Sequence, residues 1–189
     1  MKGVIMKFPV LCITYFLTLE AFAVYDNFQD AMKAGDNANS KKNFAVAATA
    51  YENAFAKAAD TPQKYLAGSR YARALSQSGK ITIAVETAKK IMELPGLNQT
   101  EKLQATYMYA WYLLAMKKNT EAEKILETAV KETSMIQFDL YDLYLNALCA
   151  QKKFTEADQA MTDMEKTART QSQKKRVIQK KIWLEGRKK

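Results

Sequence analysis

The sequence contains no histidine, and only two cysteines, three prolines and six glycines occur among its 189 residues. The absence of histidine removes the commonest general base and the commonest metal ligand of proteins. No glycine-rich phosphate loop and no G-x-S-x-G motif is present either. Few runs of β-branched residues occur, and alanine, lysine and leucine are the commonest residues, which favours helix throughout.

Few side chains are candidates for chemistry. Asp139 and Asp142 are three residues apart and share a helical face, so they could act as an acid–base pair; the alternative is a solvated face near a helix start. Cys149 is flanked by apolar residues in a helical pattern, and it is either a small buried hydrophobe or a reactive thiol. We therefore expect a protein that is not an enzyme, with no catalytic, cofactor or metal site.

The first 23 residues have the pattern of a secretory signal peptide. Lys2 and Lys7 precede an uncharged apolar run at 8–19, and small residues follow it. We expect cleavage after Ala23 and export to the periplasm or the extracellular space. An uncleaved anchor is the alternative, although the apolar run is short for a membrane span. Cys12 would leave with the signal, and the single cysteine that remains can form no internal disulfide.

A short polar turn followed by an alanine-rich helical pattern occurs four times. The first alanines of the four patterns stand at positions 47, 84, 122 and 157, so the steps are 37, 38 and 35 residues. A period of about 34 to 40 residues is typical of repeats built from two helices. The turns lie at Lys41–Phe44, Ser78–Ile81, Lys117–Thr120 and Lys152–Phe154.

The repeat predicts one all-α domain at residues 24–170, followed by a basic capping helix and tail at 171–189. The four predicted units span residues 26–60, 62–94, 98–133 and 135–168. In the last segment, one apolar stripe is expected to cover the end of the array, which terminal repeats require. The stripe would consist of Val177, Ile178, Ile182 and Leu184.

This organisation resembles the tetratricopeptide repeat (TPR) family. Gly35 stands where the family has a small residue between its two helices, and Ala72, Ala110 and Leu145 occupy that place in the other units. The second helix of the first unit matches the family pattern through Phe44, Ala47, Tyr51 and Ala54. The resemblance implies a right-handed α-solenoid of about four TPR-like helix pairs plus a C-terminal capping helix, in an exported bacterial protein. A plain helical bundle is the alternative.

In that family the first helices line a concave surface on which partners bind. Tyr107 and Trp111 are four residues apart on one face, so they would anchor a partner peptide, or else they belong to the core between units. The carboxylate-binding set of some cytosolic relatives is missing, because only Arg70 would fit it. The groove that the resemblance implies consists of Met32, Asp36, Arg70, Arg73, Gln104, Tyr107, Trp111, Asp142 and Asn146.

The expected function is a non-catalytic scaffold of the cell envelope that binds a partner peptide or helix in this groove. The alternative is a basic adaptor that docks on an anionic envelope surface or polymer through its C-terminal helix, since the chain has net charge +9. The basic cluster from Lys174 to Lys181 is otherwise a solvated face. Predicted export argues against nucleic acid as a partner, and self-association through a terminal repeat stays open.

Overall fold

The structure is a computed structural model that describes residues 25–132 and 137–188. Within these ranges it contains nine helices and no strand, so the prediction of an all-α chain is confirmed for them. The predicted signal peptide lies outside the described residues. None of the described helices is both long and apolar enough to span a membrane. The helices are α1 (Phe28–Ser40), α2 (Phe44–Lys57), α3 (Thr61–Gln77), α4 (Ile81–Met92), α5 (Gln99–Ala115), α6 (Asn119–Glu132), α7 (Gln137–Ala150), α8 (Phe154–Thr167) and α9 (Gln171–Lys188).

The helices form a succession of pairs. Each helix packs against the next one along the chain, from α1 to α9. In addition, α3 contacts α5, α5 contacts α7 and α7 contacts α9, so these four helices share one side of the molecule. The pairs are α1–α2, α3–α4, α5–α6 and α7–α8, and α9 packs against α8 and α7.

The same backbone turn joins the two helices of every pair. Its central residue has a left-handed conformation, with φ of 60° at Lys42, 82° at Gly79, 59° at Lys117 and 59° at Lys152. The N–H that follows it donates to a carbonyl five residues earlier, as in the 2.9 Å bond from Asn43 to Ala38. This Schellman arrangement satisfies the last carbonyls of the first helix. The four polar turns of the sequence therefore all fall inside helix pairs.

Close contact between paired helices explains the small residues of the first helices. A side chain on Gly35 would overlap the ring of Tyr51, which crosses it from α2. The Tyr51 hydroxyl donates a 2.7 Å hydrogen bond to Asp36, which holds the ring in place. The equivalent positions in the other pairs are fully buried; they are Ala72, Ala110 and Leu145.

Helix α9 covers α7 and α8 with one face only. Val177 and Leu184 are 3% and 2% exposed, whereas Ile178 and Ile182 are 61% and 69% exposed. The prediction that all four form a single stripe is therefore wrong for the two isoleucines. At about 100° per residue, Leu184 returns to the side of Val177, while Ile178 and Ile182 lie about 100° and 140° away from it.

Candidate functional site

An open groove lies between α3 and α5, near the middle of the succession of helices. It encloses about 610 Å³, within the range of volumes that ligand sites have. We call it the central groove. Its lining combines aromatic rings, amide and hydroxyl groups and one cation; it consists of Tyr65, Ser69, Arg73, Ser76, Gln77, Gln104, Tyr107, Met108, Trp111, Tyr112 and Asp139.

The wall from α3 is built by residues that recur every four positions. This spacing places side chains on one face of a helix. Asp60 caps the first turn of α3, because its carboxylate accepts a 2.8 Å hydrogen bond from the N–H of Gln63. The cap fixes where the helix begins and hence which side chains face the groove. These are Tyr65, Ser69, Arg73 and Gln77.

The wall from α5 carries the largest exposed aromatic ring of the groove. Trp111 is 45% exposed, and its ring meets the ring of Tyr112 edge to face at 5.3 Å and 77°. Tyr112 is 4% exposed and belongs to the core, so it supports Trp111 from beneath. Tyr107, one turn earlier, is partly buried and lines the groove. Both residues therefore line the groove, and Tyr107 also packs against the core, so the two interpretations are not exclusive for it.

A hydrogen bond across the groove closes it at one end. The Tyr65 hydroxyl of α3 donates to the side-chain oxygen of Gln104 of α5 at 2.7 Å. Burial raises the pKa of Tyr65, so the hydroxyl stays a donor at neutral pH. The nearby Ser69 hydroxyl is buried and makes no hydrogen bond of ordinary geometry, although its proximity lowers the pKa of Tyr65 somewhat. The groove is thus closed beside Gln104 and open beside Trp111.

The two margins of the groove differ in charge. Arg73 is exposed on the α3 side and forms no ion pair with any residue in the described part of the chain. On the opposite margin, Asp139 is bound by Arg176 of α9 at 2.9 Å. Burial raises the pKa of Tyr107, and the carboxylates of Asp139 and Asp142 raise it further. A ligand in the groove therefore meets one cation whose charge is not neutralised.

Three of the residues that the resemblance assigned to the groove lie towards its N-terminal side and already contact other parts of this chain. Met32 is only 7% exposed and belongs to the core, because it lies on the buried face of α1. Asp36 and Arg70 bind each other across the two first helices, and Asp36 also accepts from Tyr51. Neither Asp36 nor Arg70 lines the central groove. A partner there would have to displace an existing ion pair.

Two predicted residues at the C-terminal side are covered by α9. The ammonium group of Lys180 lies 2.9 Å from Asp142 and donates to Asn146 at 2.8 Å. Arg176 reaches Asp142 at 3.3 Å. Asp142 and Asn146 therefore bind the last described helix of this chain. Of the nine predicted groove residues, the structure brings four together in the central groove: Arg73, Gln104, Tyr107 and Trp111.

Tyr65, Gln77 and Met108 line the groove but were not among the predicted residues. Tyr65 lies eight residues before Arg73 and Gln77 lies four residues after it, so the four-residue spacing of one helix face could have found both. The prediction instead included Arg70, which lies on a neighbouring face of α3 and outside the groove.

The groove-lining side chains supply aromatic surface, hydrogen-bonding groups and the charges of Arg73 and Asp139. Across residues 25–132 and 137–188, no group of three or more cysteine, aspartate or glutamate side chains is placed to hold a metal ion. Asp139 forms an ion pair with Arg176 at 2.9 Å. Cys149 is buried, and burial raises the pKa of its thiol, which agrees with the small buried hydrophobe among the two interpretations. What the groove offers is apolar area, hydrogen bonds and the charge of Arg73.

Comparison of this chain with known protein families, with curated proteins and with solved structures finds no match in any of the three.

Proposed function

We propose that the chain is a right-handed α-solenoid of TPR-like helix pairs that acts as a non-catalytic scaffold, binding a short segment of a partner protein in the central groove. One observation carries the proposal. The groove stays uncovered with Trp111 exposed in it, while the surfaces on either side are occupied by the chain's own ion pairs. The four identical turns and the buried position of Gly35 support the repeat type.

The dimensions of the groove suit a short extended segment. From Tyr65 to Gln77 the wall of α3 rises by about 18 Å, which an extended chain spans with about five residues. Trp111 and Tyr107 offer flat apolar surface, and Arg73 offers a cation that can bind a carboxylate in a bidentate manner. The preferred partner segment therefore carries a large apolar side chain and an acidic side chain next to it.

The cellular setting of this scaffold is proposed from the sequence alone. The pattern at residues 1–23 favours export, and with the repeat resemblance it favours the cell envelope of a bacterium. The partner segment would then belong to another exported or envelope protein.

A photo-crosslinking residue placed at Gln77 tests the groove inside the cell. Gln77 is exposed and lines the groove, and its side chain makes no hydrogen bond or ion pair with another residue that the structure describes. We expect it to capture a specific partner protein, and we expect Trp111→Ala to abolish the capture. Arg73→Glu should reduce it by about tenfold, as the loss of a charged hydrogen bond does.

The matched control places the same crosslinker at Glu86, which is exposed on α4 and remote from the groove lining. It should not capture the same protein. Capture of the same protein from Glu86, or capture from Gln77 that survives Trp111→Ala, would contradict the proposal. Circular dichroism of each variant confirms that the helices remain.

A further inference from the structure

Helix α9 contacts α7 in the same register in which α3 contacts α1. Arg70 of α3 binds Asp36 of α1, 34 residues earlier in the chain. Lys180 of α9 donates to Asn146 of α7, also 34 residues earlier, at 2.8 Å. Helix α9 therefore has the position of the first helix of a fifth pair, rather than that of an unrelated cover.

This register identifies what the two exposed isoleucines correspond to. Counted from these two contacts, Ile178 corresponds to Gly68 of α3, and Ile182 corresponds to Ala72. On α3 this face is buried: Ala72 has no exposed surface, and a side chain added to Gly68 would come within 2.9 Å of Ile91 of α4 and 3.0 Å of Phe55 of α2. On α9 the same face is bare, with Ile178 61% and Ile182 69% exposed.

The bare face is flanked by two lysines that form no ion pair with the described part of the chain. Lys174 and Lys175 lie one turn before Ile178, and neither forms an ion pair within the described residues. Most other cations of α9 are neutralised by carboxylates of α7 and α8 or of α9 itself; these are Arg176, Lys180, Lys181 and Lys188. Unpaired positive charge is therefore concentrated beside the isoleucines.

We propose that the face formed by Lys174, Lys175, Ile178 and Ile182 takes an acidic amphipathic helix of a partner protein, which packs on α9 as α4 packs on α3. We call this the α9 face. The register of the helix pairs points to a helix as the occupant, and the unpaired lysines point to acidic side chains on it. This surface is separate from the central groove, so the inference does not depend on what binds there.

The residues of the α9 face also restrict the shape of the incoming helix. Two isoleucines replace a glycine and an alanine, so the space that α3 leaves for large side chains of α4 is filled here. The partner helix must then present small residues, such as alanine, opposite Ile178 and Ile182. A second copy of α9 fits less well, because its lysines would face Lys174 and Lys175 with like charge.

An appended helix tests whether the α9 face accepts such an occupant. The full chain is extended after Lys189 by a copy of residues 151–167, the turn and second helix of the preceding pair; the helical part, 154–167, contains two alanines and carries four acidic residues and one lysine. We expect the midpoint of thermal unfolding to rise by about 3 °C or more, because apolar surface becomes buried. Replacing both isoleucines by glutamine should cancel the rise. An unchanged midpoint would overturn the proposal.

A crosslinker at Gln171, two turns before Ile178 on the same side of α9, tests for the partner in cells. We expect a protein product that is lost in Ile178→Gln/Ile182→Gln and reduced about tenfold in Lys174→Glu/Lys175→Glu, with the crosslinked partner peptide helical and acidic. The matched controls are Val46→Gln/Ile83→Gln, exposed apolar residues elsewhere, and Lys89→Glu/Lys90→Glu. Both controls should keep the product.

Three other outcomes count against this occupant. A product of twice the chain's own mass would identify a second copy. A product with phospholipid alone would identify an anionic membrane surface. Loss of the product in the Lys89→Glu/Lys90→Glu control would show attraction by overall charge. The Gln77 crosslinker in the central groove reports on the other proposal, so the two can fail separately.

Discussion

The ammonium group of Lys180 lies 2.9 Å from the carboxylate of Asp142, and both side chains are largely shielded from solvent, at 15% and 28% exposure. Asp142 had been expected to contact a partner, but it holds α9 against α7. The side that α3, α5, α7 and α9 share is therefore partly occupied by the chain itself. The space between α3 and α5 stays uncovered on this side, and the ion pair holds α9 against α7 although much of the surface of α9 is polar.

Removal of the Asp142 carboxylate should weaken the docking of α9. Asp142→Ala leaves Lys180 and Arg176 without a shared acceptor, and we expect the free energy of unfolding to fall by about 1–2 kcal/mol. Urea denaturation followed by circular dichroism measures it. Lys180→Met in the same background should recover part of the loss, as a double-mutant cycle detects. Strict additivity of the two substitutions would show that the pair is not coupled.

Neighbouring aromatic residues of α5 should differ in their effect on stability. Tyr112→Ala removes a ring that is 4% exposed and should cost about 3 kcal/mol or more. Trp111→Ala removes a ring that is 45% exposed, so the cost should stay near 1 kcal/mol. Denaturant midpoints of the two variants measure the difference. Equal losses would place Trp111 in the core and remove the support for a binding role.

Replacement of Gly35 by alanine should destabilise the fold. A Cβ there overlaps the Tyr51 ring, which its bond to Asp36 holds in place, so Gly35→Ala should destabilise the chain by about 1–3 kcal/mol. Gly186→Ala is the matched control, because Gly186 is also helical and nothing lies within 4 Å of a Cβ at that position. That variant should gain about 0.5–1 kcal/mol from helix propensity. Thermal unfolding of both variants should therefore shift in opposite directions.

Substitutions at the left-handed residue of the repeated turn should change the free energy of unfolding, with glycine as the favoured residue. Lys42 has φ of 60°, so Lys42→Gly should relieve strain and raise the free energy of unfolding by about 1 kcal/mol. Gly79 occupies the same place in the next pair with φ of 82°, and Gly79→Ala should lower it by a similar amount. Urea denaturation distinguishes the two directions. A loss of stability in Lys42→Gly would mean that the lysine side chain contributes more than the strain removes.

Stability should decrease at alkaline pH through the buried tyrosines. Burial raises the pKa of Tyr51 to about 12, and it does the same for Tyr112 and Tyr144. The unfolded chain ionises near pH 10, so this contribution is complete below pH 10 and is lost as the pH rises towards 12. Denaturant midpoints across this window should fall for the native chain and fall less for Tyr51→Phe. Lysine titration is common to both proteins and cancels in the difference.

Local features of the chain made most of the fold predictable. The caps at Asp60 and Asn98, and the turns centred on Lys42 and Gly79, each depend on residues within a few positions of one another. Such local signals can be recognised in a single sequence. The central groove was less predictable: Trp111, Tyr107, Gln104 and Arg73 were found from the repeat position, but Tyr65 and Met108 were not.

The sequence by itself determined the helices, their pairing through four equal turns and the small residues at which paired helices cross, because these depend on local geometry and side-chain volume. Only the tertiary structure decided which polar residues remain available to a partner. The sequence shows that Asp36 and Asn146 are polar, but it does not show that each contacts a cation 34 residues later in the chain, as the structure does. Such long-range pairings depend on how successive helices stack, and that stacking leaves the central groove and the α9 face exposed.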